Sequence, residues 1–356
     1  MKKIYLILQN GRIFEGRAFG AEGRVCGELV FATGVTGYLQ SLTDPGYYGQ
    51  ILVQTFPLIG NYGVVEEEFE SSEVYVSAYV VREICDDPSN YRCKGKLDAW
   101  LKEKGVVGIC GIDTRALTAV IREYGVMNAI ITDTLPEGDE LPDELLCYSV
   151  KDAVPSVSCK ERTVYTAESA KLNVALYDFG VKKSTVEALL SRGCNVTVLP
   201  YNTPASDILD AGFDGVLLAG GPGDPKDNAP VVVELRKLLG KLPVFGINLG
   251  HQLLALAAGA STTKLKYGHR GSNQPVKDLD RGHCCITSQN HGYIVDGATL
   301  PEFAHISYAN VNDGSIEGID YIGKNAFSVQ FDPLMSGTKE SRDLYAEFIS
   351  MMEKGE

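Results

Sequence analysis

Residues 244–260 read VFGINLGHQLLALAAGA: an apolar strand, a turn flanked by Gly246 and Gly250, and an apolar helix. A sharp strand-to-helix turn lifts the side chain at its tip out of the sheet and aims helix-start N–H groups at it, an arrangement in which many enzymes hold a nucleophile. The tip here is Asn248, and a carboxamide cannot serve as that nucleophile. A second stretch, GGPGDP at 220–225, is a glycine-rich loop after an apolar strand. A third, SQNHGYIVD at 288–296, carries Asn290, His291 and Gly292, which taken by themselves read as a turn between strands. His283, Cys284, Cys285 and His291 have metal-ligating side chains. Consecutive strand residues point to opposite faces, so these four do not converge on one ion and no metal site is expected.

The elements that position these stretches alternate. NVALYDFG (173–180) reads as a buried strand, VKKSTVEALLSRG as a helix ending at glycine, CNVTVLPY as a strand, DGVLLAGGPGDP as a strand entering the glycine-rich loop, VVVELRKLLGK as a helix and LPVFGI as another strand. Strand and helix in alternation predict a parallel sheet with helices on both faces, and ligands bind such sheets beyond the C-terminal strand ends. GGPGDP and GINLGHQ both fall there, so the two loops are expected to face one site. ESRDLYAEFISMMEKG, near the C-terminus, reads as an amphipathic helix packed on the sheet.

Residues 1–150 read differently: KIYLILQNGRIF, GELVFATG and QILVQTF are short alternating strands, with helical periodicity only at LDAWLKEKG and DTRALTAVIREYG. The expected organisation is a β-rich domain over 1–150, a polar linker over 151–171 without clear periodicity, and an α/β domain over 172–356. The formal charge of −13 and pI near 5.0 oppose a phosphate-backbone ligand, so nucleic acid is not an expected partner. The N-terminal apolar run is broken at Gln9, Asn10 and Gly11, too short for a signal sequence or membrane span. Nine scattered cysteines without a C-x-x-C pair suggest free thiols in a reducing compartment, and a cytoplasmic protein is expected.

Taken in order, TGYLQSLTDPGYYGQI, PLIGNYG, GIDTRAL, LYDFGVKKS, GGPGDP, GINLGHQLLALAAGA, YGHRGSNQPVKD and SQNHGYIVD resemble the small, glutamine-hydrolysing subunit of carbamoyl phosphate synthetase over nearly the whole chain. The C-terminal half resembles its class I, triad-type glutamine amidotransferase domain, which implies a flavodoxin-like, doubly wound, mostly parallel sheet. The resemblance implies a cysteine nucleophile at the elbow, a histidine to move the proton and a glutamate to orient it, in the strings GICLGHQ and FHPE. This chain has GINLGHQ and FDPL: Asn248, Asp332 and Leu334 occupy the cysteine, histidine and glutamate positions. Three unrelated replacements, none able to act as the group it replaces, read as a natural loss of glutaminase chemistry.

The remaining glutamine-binding positions are mostly kept. By resemblance, Gly221 and Leu249 offer the oxyanion N–H groups, and Gly223, Gln252, Asn290, Gly292 and Tyr293 contact glutamine; Gly46 stands where a serine is usual, and Gly220 where asparagine is common. The buried amide of Asn248 is expected to find hydrogen bonds in those oxyanion N–H groups. Three functions follow. In the first, a non-catalytic small subunit docks through residues 1–150 on the large subunit, which with ATP and Mg makes carbamoyl phosphate for arginine or pyrimidine synthesis, here from free ammonia; this chain carries no cofactor. In the second, glutaminase persists through an unrecognised nucleophile such as Cys284 or Cys285 paired with His283, His291 or His251. In the third, the chain is a stand-alone sensor whose ligand is L-glutamine.

Overall fold

In the computed structural model, which describes residues 2–136, 140–335 and 342–354, the first apolar run is strand β1 (Lys3–Leu8), and Gly11 at φ 83° turns the chain back into β2 (Ile13–Gly20). The chain divides into two units, Met1–Lys151 and Asp152–Glu356. In the first unit β3 (Val25–Ala32) and β4 (Gln50–Gln54) precede a short pair, β5 (Leu58–Ile59) with β7 (Glu83–Ile84), between which lies β6 (Ala78–Val80). With β8 (Val107–Cys110) and β9 (Met127–Thr132) a barrel closes in the order β1-β2-β8-β6-β4-β3-β9. Alternate residues feed two different cores: Leu29, Phe31, Ile51, Val53, Ala78 and Val80 enter one, Val30, Ala32, Leu52, Tyr79 and Val81 the other. Strands buried on both faces lose the polar half of their alternation, which is why QILVQ is buried throughout. Helix Thr114–Tyr124 is capped by the Asp113 carboxylate, which accepts from Ala116 N at 3.0 Å; it packs Leu117, Val120 and Ile121 into the first core and stops at Gly125.

The second unit is one ten-stranded sheet: β10 (Thr163–Tyr165), β11 (Leu172–Asp178), β12 (Cys194–Pro200), β13 (Gly215–Leu218), β14 (Val244–Ile247), β15 (Ser261–Asp278), β16 (Cys284–Asp296), β17 (Ala304–Asn310), β18 (Ile316–Tyr321) and β19 (Ala326–Val329), ordered β10-β12-β11-β13-β14-β19-β18-β17-β15-β16. β12, β11, β13, β14 and β19 run parallel, the doubly wound core that the alternation predicts. Ala175, Tyr177, Val216 and Leu218 meet helix Leu249–Ala258 on one face, while Val174, Leu176, Leu217 and Ala219 meet helix Leu344–Lys354 on the other. β18, β17, β15 and β16 extend this core as antiparallel strands, a part the sequence pattern did not announce.

Two expectations are corrected. Residues 151–171 are not a structureless strap: from Asp152 they belong to the second unit, and they include helix Ala153–Val157 and β10. The three residues of β10 are exposed and owe their order to antiparallel pairing with β12, so no hydrophobic period marks them. Asn290, His291 and Gly292 do not form a turn; they lie inside β16, paired with β15 through a ladder with register shifts. Among the described residues no helix is long and apolar enough to cross a membrane.

The strand-to-helix turn after β14 sits tightly on β13. Gly250 N–H donates to the Ala219 carbonyl at 3.0 Å, and a Cβ at Gly250 would lie 2.3 Å from the Leu218 carbonyl oxygen. Backbone cannot yield as a side chain can, so Gly250→Ala is expected to lower the urea unfolding free energy by about 1–3 kcal/mol. Gly95→Ala, whose Cβ meets nothing within 4 Å, should stay within about 0.5 kcal/mol. Equal midpoints for the two variants would show that the turn is not packed this way.

Candidate functional site

Asn248 links β14 to helix Leu249–Ala258 at φ 53°, ψ −110°. A non-glycine residue held there costs about 1–3 kcal/mol and persists only where its surroundings enforce it. The enforcement is explicit: Asn248 N–H donates to Val329 O at 2.9 Å, Gly250 N–H to Ala219 O at 3.0 Å, and Gln252 N–H to Asn248 O at 3.2 Å. Leu249 opens the helix, where an N–H has no intrahelical acceptor.

The Asn248 side chain is half-buried and points to β16. Its Nδ2 donates to the Asn290 carbonyl at 2.9 Å, and its Oδ1 accepts from Gln330 Nε2 at 3.5 Å. These partners, rather than the N–H groups of Gly221 and Leu249, satisfy the amide, which corrects the expectation from sequence. The glycine-rich loop does lie against the elbow: a Cβ on Gly220 would stand 3.3 Å from Asn248 Cβ, and one on Gly221 would meet the Phe179 carbonyl oxygen at 2.0 Å and Leu249 Cδ2 at 3.0 Å. Position 221 therefore admits glycine alone. Gly223, at φ 89°, is held by a similar constraint, its Cβ direction leading to Ala153 Cβ at 2.8 Å.

Gln252 is buried and committed: Nε2 donates to Tyr293 O at 2.8 Å and to Gln330 Oε1 at 2.9 Å. Asn248, Leu249, Gly221, Gln252, Asn290 and Tyr293 are thus brought together, with Gly292 beside them on β16. Gly46 lies in the first unit, in the 3-10 turn Pro45–Tyr47, where its N–H binds the Asp44 carboxylate.

Asp332 pairs backbone to backbone with Ser288 of β16, its N–H donating to Ser288 O at 2.9 Å. Its carboxylate is engaged on both oxygens: Oδ2 with Lys182 Nζ at 2.9 Å, Oδ1 with the Leu334 N–H at 3.0 Å. Leu334 is 36% exposed and brings no polar group. Lys182, Gln330, His269 and Glu317 were not singled out from sequence. GVKKS and YGHRGSNQ contain two of them within quoted motifs, but only the fold shows which side chains of those strings turn inward.

The acid–base groups around the elbow are weak. His251 is wholly buried, shares a hydrogen bond between Nδ1 and Ser328 Oγ at 2.8 Å, and has no hydrogen-bond partner at Nε2 among the described residues. Burial takes its pKa down to about 3, too low to collect a proton from a thiol or water near neutrality. Burial, then the adjacent His269, likewise depress His291. Cys285 is five residues ahead of Asn290 on β16, about 17 Å at the usual rise per residue, and burial raises its thiol pKa. Cys159, whose N–H binds the Asp178 carboxylate at the end of β11, is pushed up to about 12 by burial and that carboxylate.

His251 gives a signed pH dependence. The unfolded chain takes up a proton near pH 6.5 while the folded chain resists until about 3, so the unfolded state binds more protons between these values and stability falls as pH falls. His251→Asn, which retains a group able to donate to Ser328, is expected to remove a slope approaching about 1.4 kcal/mol per pH unit. Urea titrations between about pH 6.5 and 5 measure it; identical slopes for both proteins would contradict a neutral buried His251.

Residues 6–131 match the family described as carbamoyl-phosphate synthase small chain, CPSase domain, and residues 175–351 match glutamine amidotransferase class-I. The carbamoyl phosphate synthase small chain of Clostridium perfringens is 48% identical over 98% of this chain and 99% of its own length. The protein of the same name from Streptococcus pneumoniae serotype 4 is 46% identical over 99% and 98%. A solved structure, a glutamine amidotransferase from Thermotoga maritima, is 19% identical over 52% of this chain and 85% of that one, at a TM-score of 0.37. With both domains matched in order and near-half identity carried from end to end, this chain belongs to the carbamoyl phosphate synthase small-chain family.

Proposed function

We propose that the chain acts as the small subunit of a carbamoyl phosphate synthase and has lost its own glutaminase, so that the complex draws on free ammonia. The observation that carries this reading is Asn248 at the elbow, its amide hydrogen-bonded to the Asn290 carbonyl in the place where a thiol is needed. Amide hydrolysis through a covalent intermediate needs a nucleophile that can be deprotonated and a base to accept its proton. Asn248 supplies neither, Asp332 is tied to Lys182 and Leu334, and the nearby imidazole of His251 is too acidic.

A hidden nucleophile is disfavoured by the same geometry, since Cys285 stands far along β16 and Cys159 is held as a thiol. The large subunit is the proposed partner and the seat of the ATP- and Mg-dependent synthesis; this chain would stabilise it, close the ammonia path or tune its rate. The product would enter arginine or pyrimidine synthesis. A stand-alone glutamine sensor is less well supported, because the amide nitrogen of Gln252 already commits both its hydrogens to Tyr293 and Gln330.

Mixed with its large subunit, the chain is expected to support carbamoyl phosphate synthesis from ammonium chloride and not from glutamine; equal rates from the two donors would sink the proposal. Asn248→Cys alone should stay silent because the triad acts as a unit, whereas the combined Asn248→Cys, Asp332→His and Leu334→Glu variant should regain measurable glutaminase.

A further inference from the structure

The inward face of β16 carries Thr287, Gln289 and His291, all buried, and they meet His269 of β15 and Glu317 of β18. His269 and His291 are direct partners in the β15–β16 ladder, and their rings stand edge to face at 5.0 Å. Glu317 has no exposure to solvent, His291 is 5% exposed and His269 8%. One ligand atom from each of these three lies within 4.8 Å of the other two.

The outer nitrogens of both rings are already oriented. His269 Nε2 meets Asp313 Oδ2 at 2.9 Å, and His291 Nδ1 meets the Tyr293 carbonyl at 2.9 Å. Both acceptors carry only lone pairs, as do Gln289 Oε1 and the Glu317 carboxylate that face the inner nitrogens, so a neutral ring has one proton for two acceptors and, with that proton on the outer side, turns a lone pair inward. A carboxylate behind one imidazole and a backbone carbonyl behind the other is the outer shell usual for metal-bound histidines. The inward atoms then lack donors. His269 Nδ1 is buried without a hydrogen bond, 3.5 Å from Glu317 Oε1. His291 Nε2 faces Gln289 Oε1 at 3.1 Å.

Reversing the Gln289 amide does not relieve that contact. Its Nε2 donates to Glu317 Oε2 at 2.9 Å and to Thr287 Oγ1 at 3.1 Å, and the Thr287 hydroxyl is committed to Gln274 O. A reversed amide would set its oxygen against the buried carboxylate. Two lone pairs facing across about 3 Å, beside an orphan imidazole nitrogen and a fully buried carboxylate, describe a place for a cation. Bonds of about 2.0–2.1 Å in a tetrahedron separate neighbouring ligands by about 3.3 Å. The 3.5 Å between His269 and Glu317 and the 3.1 Å between His291 and Gln289 bracket that distance.

We propose that His269 Nδ1, His291 Nε2 and a Glu317 carboxylate oxygen, with Gln289 Oε1 as fourth ligand, bind a divalent transition ion of the zinc type. Two imidazoles with two oxygens suit zinc in a closed, structural site. The ion ties β15, β16 and β18 together behind the strand segment that presents Asn290 and Tyr293 to the elbow. It is a different set from His283, Cys284 and Cys285, of which Cys284 is exposed on the opposite face.

The test uses the untagged full chain, stripped with chelator and titrated with zinc against a chromophoric competitor. The expected result is about one tightly held ion per chain, with a raised thermal midpoint. Asp313→Asn, at a partly exposed position that meets His269 on its far side and accepts from the Ser315 N–H and hydroxyl, should weaken the affinity about 10–100-fold. Glu317→Gln should abolish it, and Cys284→Ser should leave it unchanged. Because Glu317→Gln alters a fully buried group and can fail to fold, cobalt substitution of the unmodified chain is the second measurement, expected to give a four-coordinate spectrum without thiolate charge transfer. No tight ion in the unmodified chain, affinity indifferent to Asp313→Asn, or a thiolate band in the cobalt spectrum would each overturn the proposal; in the first case the cluster is an imidazolium–carboxylate ion pair instead.

Discussion

The backbone at Asn248, fixed at φ 53° and ψ −110°, is the constraint around which the second unit is arranged. Three hydrogen bonds hold it, from Val329 on β19, Ala219 after β13 and the first turn of its own helix, so the elbow is stapled to both neighbouring parallel strands. Glycines are required where those strands and the helix crowd together. Gly250 lies over the Leu218 carbonyl, and Gly246 has no room for a side chain beside Gly250. Such strain is usually tolerated for the reactivity it confers. Here it persists with a carboxamide at the tip, because loosening it would unseat a helix whose Leu249, Leu253, Leu254 and Ala257 fill the core.

That geometry also accounts for the residue found there. Positive φ is uncommon outside glycine but several-fold more accessible to asparagine. The Asn248 amide then finds an acceptor in the Asn290 carbonyl and a donor in Gln330. Gln330 in turn binds Gln252, which binds Tyr293, so a continuous polar network runs from the elbow to β16. Asp332 is accommodated in the same way, its negative charge answered by Lys182. Both side chains are thus held by hydrogen bonds, Asn248 to β16 and Asp332 to Lys182 and Leu334.

The antiparallel strands beyond β19 make this possible. β16 presents Asn290 O and Tyr293 O to the elbow from its backbone while turning Gln289 and His291 into a buried polar layer with His269 and Glu317. Buried polar layers are stable only when every member is satisfied. Glu317 Oε1 takes bonds from Asn310 and Ser315, and Oε2 from Gln289, leaving His269 Nδ1 as the unmet requirement among the described residues of this layer. The strand that faces the elbow is therefore itself supported by polar chemistry, unlike the apolar faces of β11 and β13.

Local pattern alone determined the parallel core, the helices with caps and terminal glycines, and the positions of the elbow and the glycine-rich loop. These depend on period, turn chemistry and residue identity, all of which are local. Only the tertiary structure decided what is non-local. β10 is ordered by pairing with β12 and carries no burial signal. Asn290 and His291 sit within a strand because β15 runs beside them, although their composition suits a turn. Asn248 bonds Asn290 and Gln330 instead of the N–H groups of Gly221 and Leu249, and His269, His291 and Glu317, far apart in sequence, share one buried layer. Hydrogen-bond partners are chosen by distance in space, and separation along the chain carries almost no information about that distance once strands are ordered out of sequence.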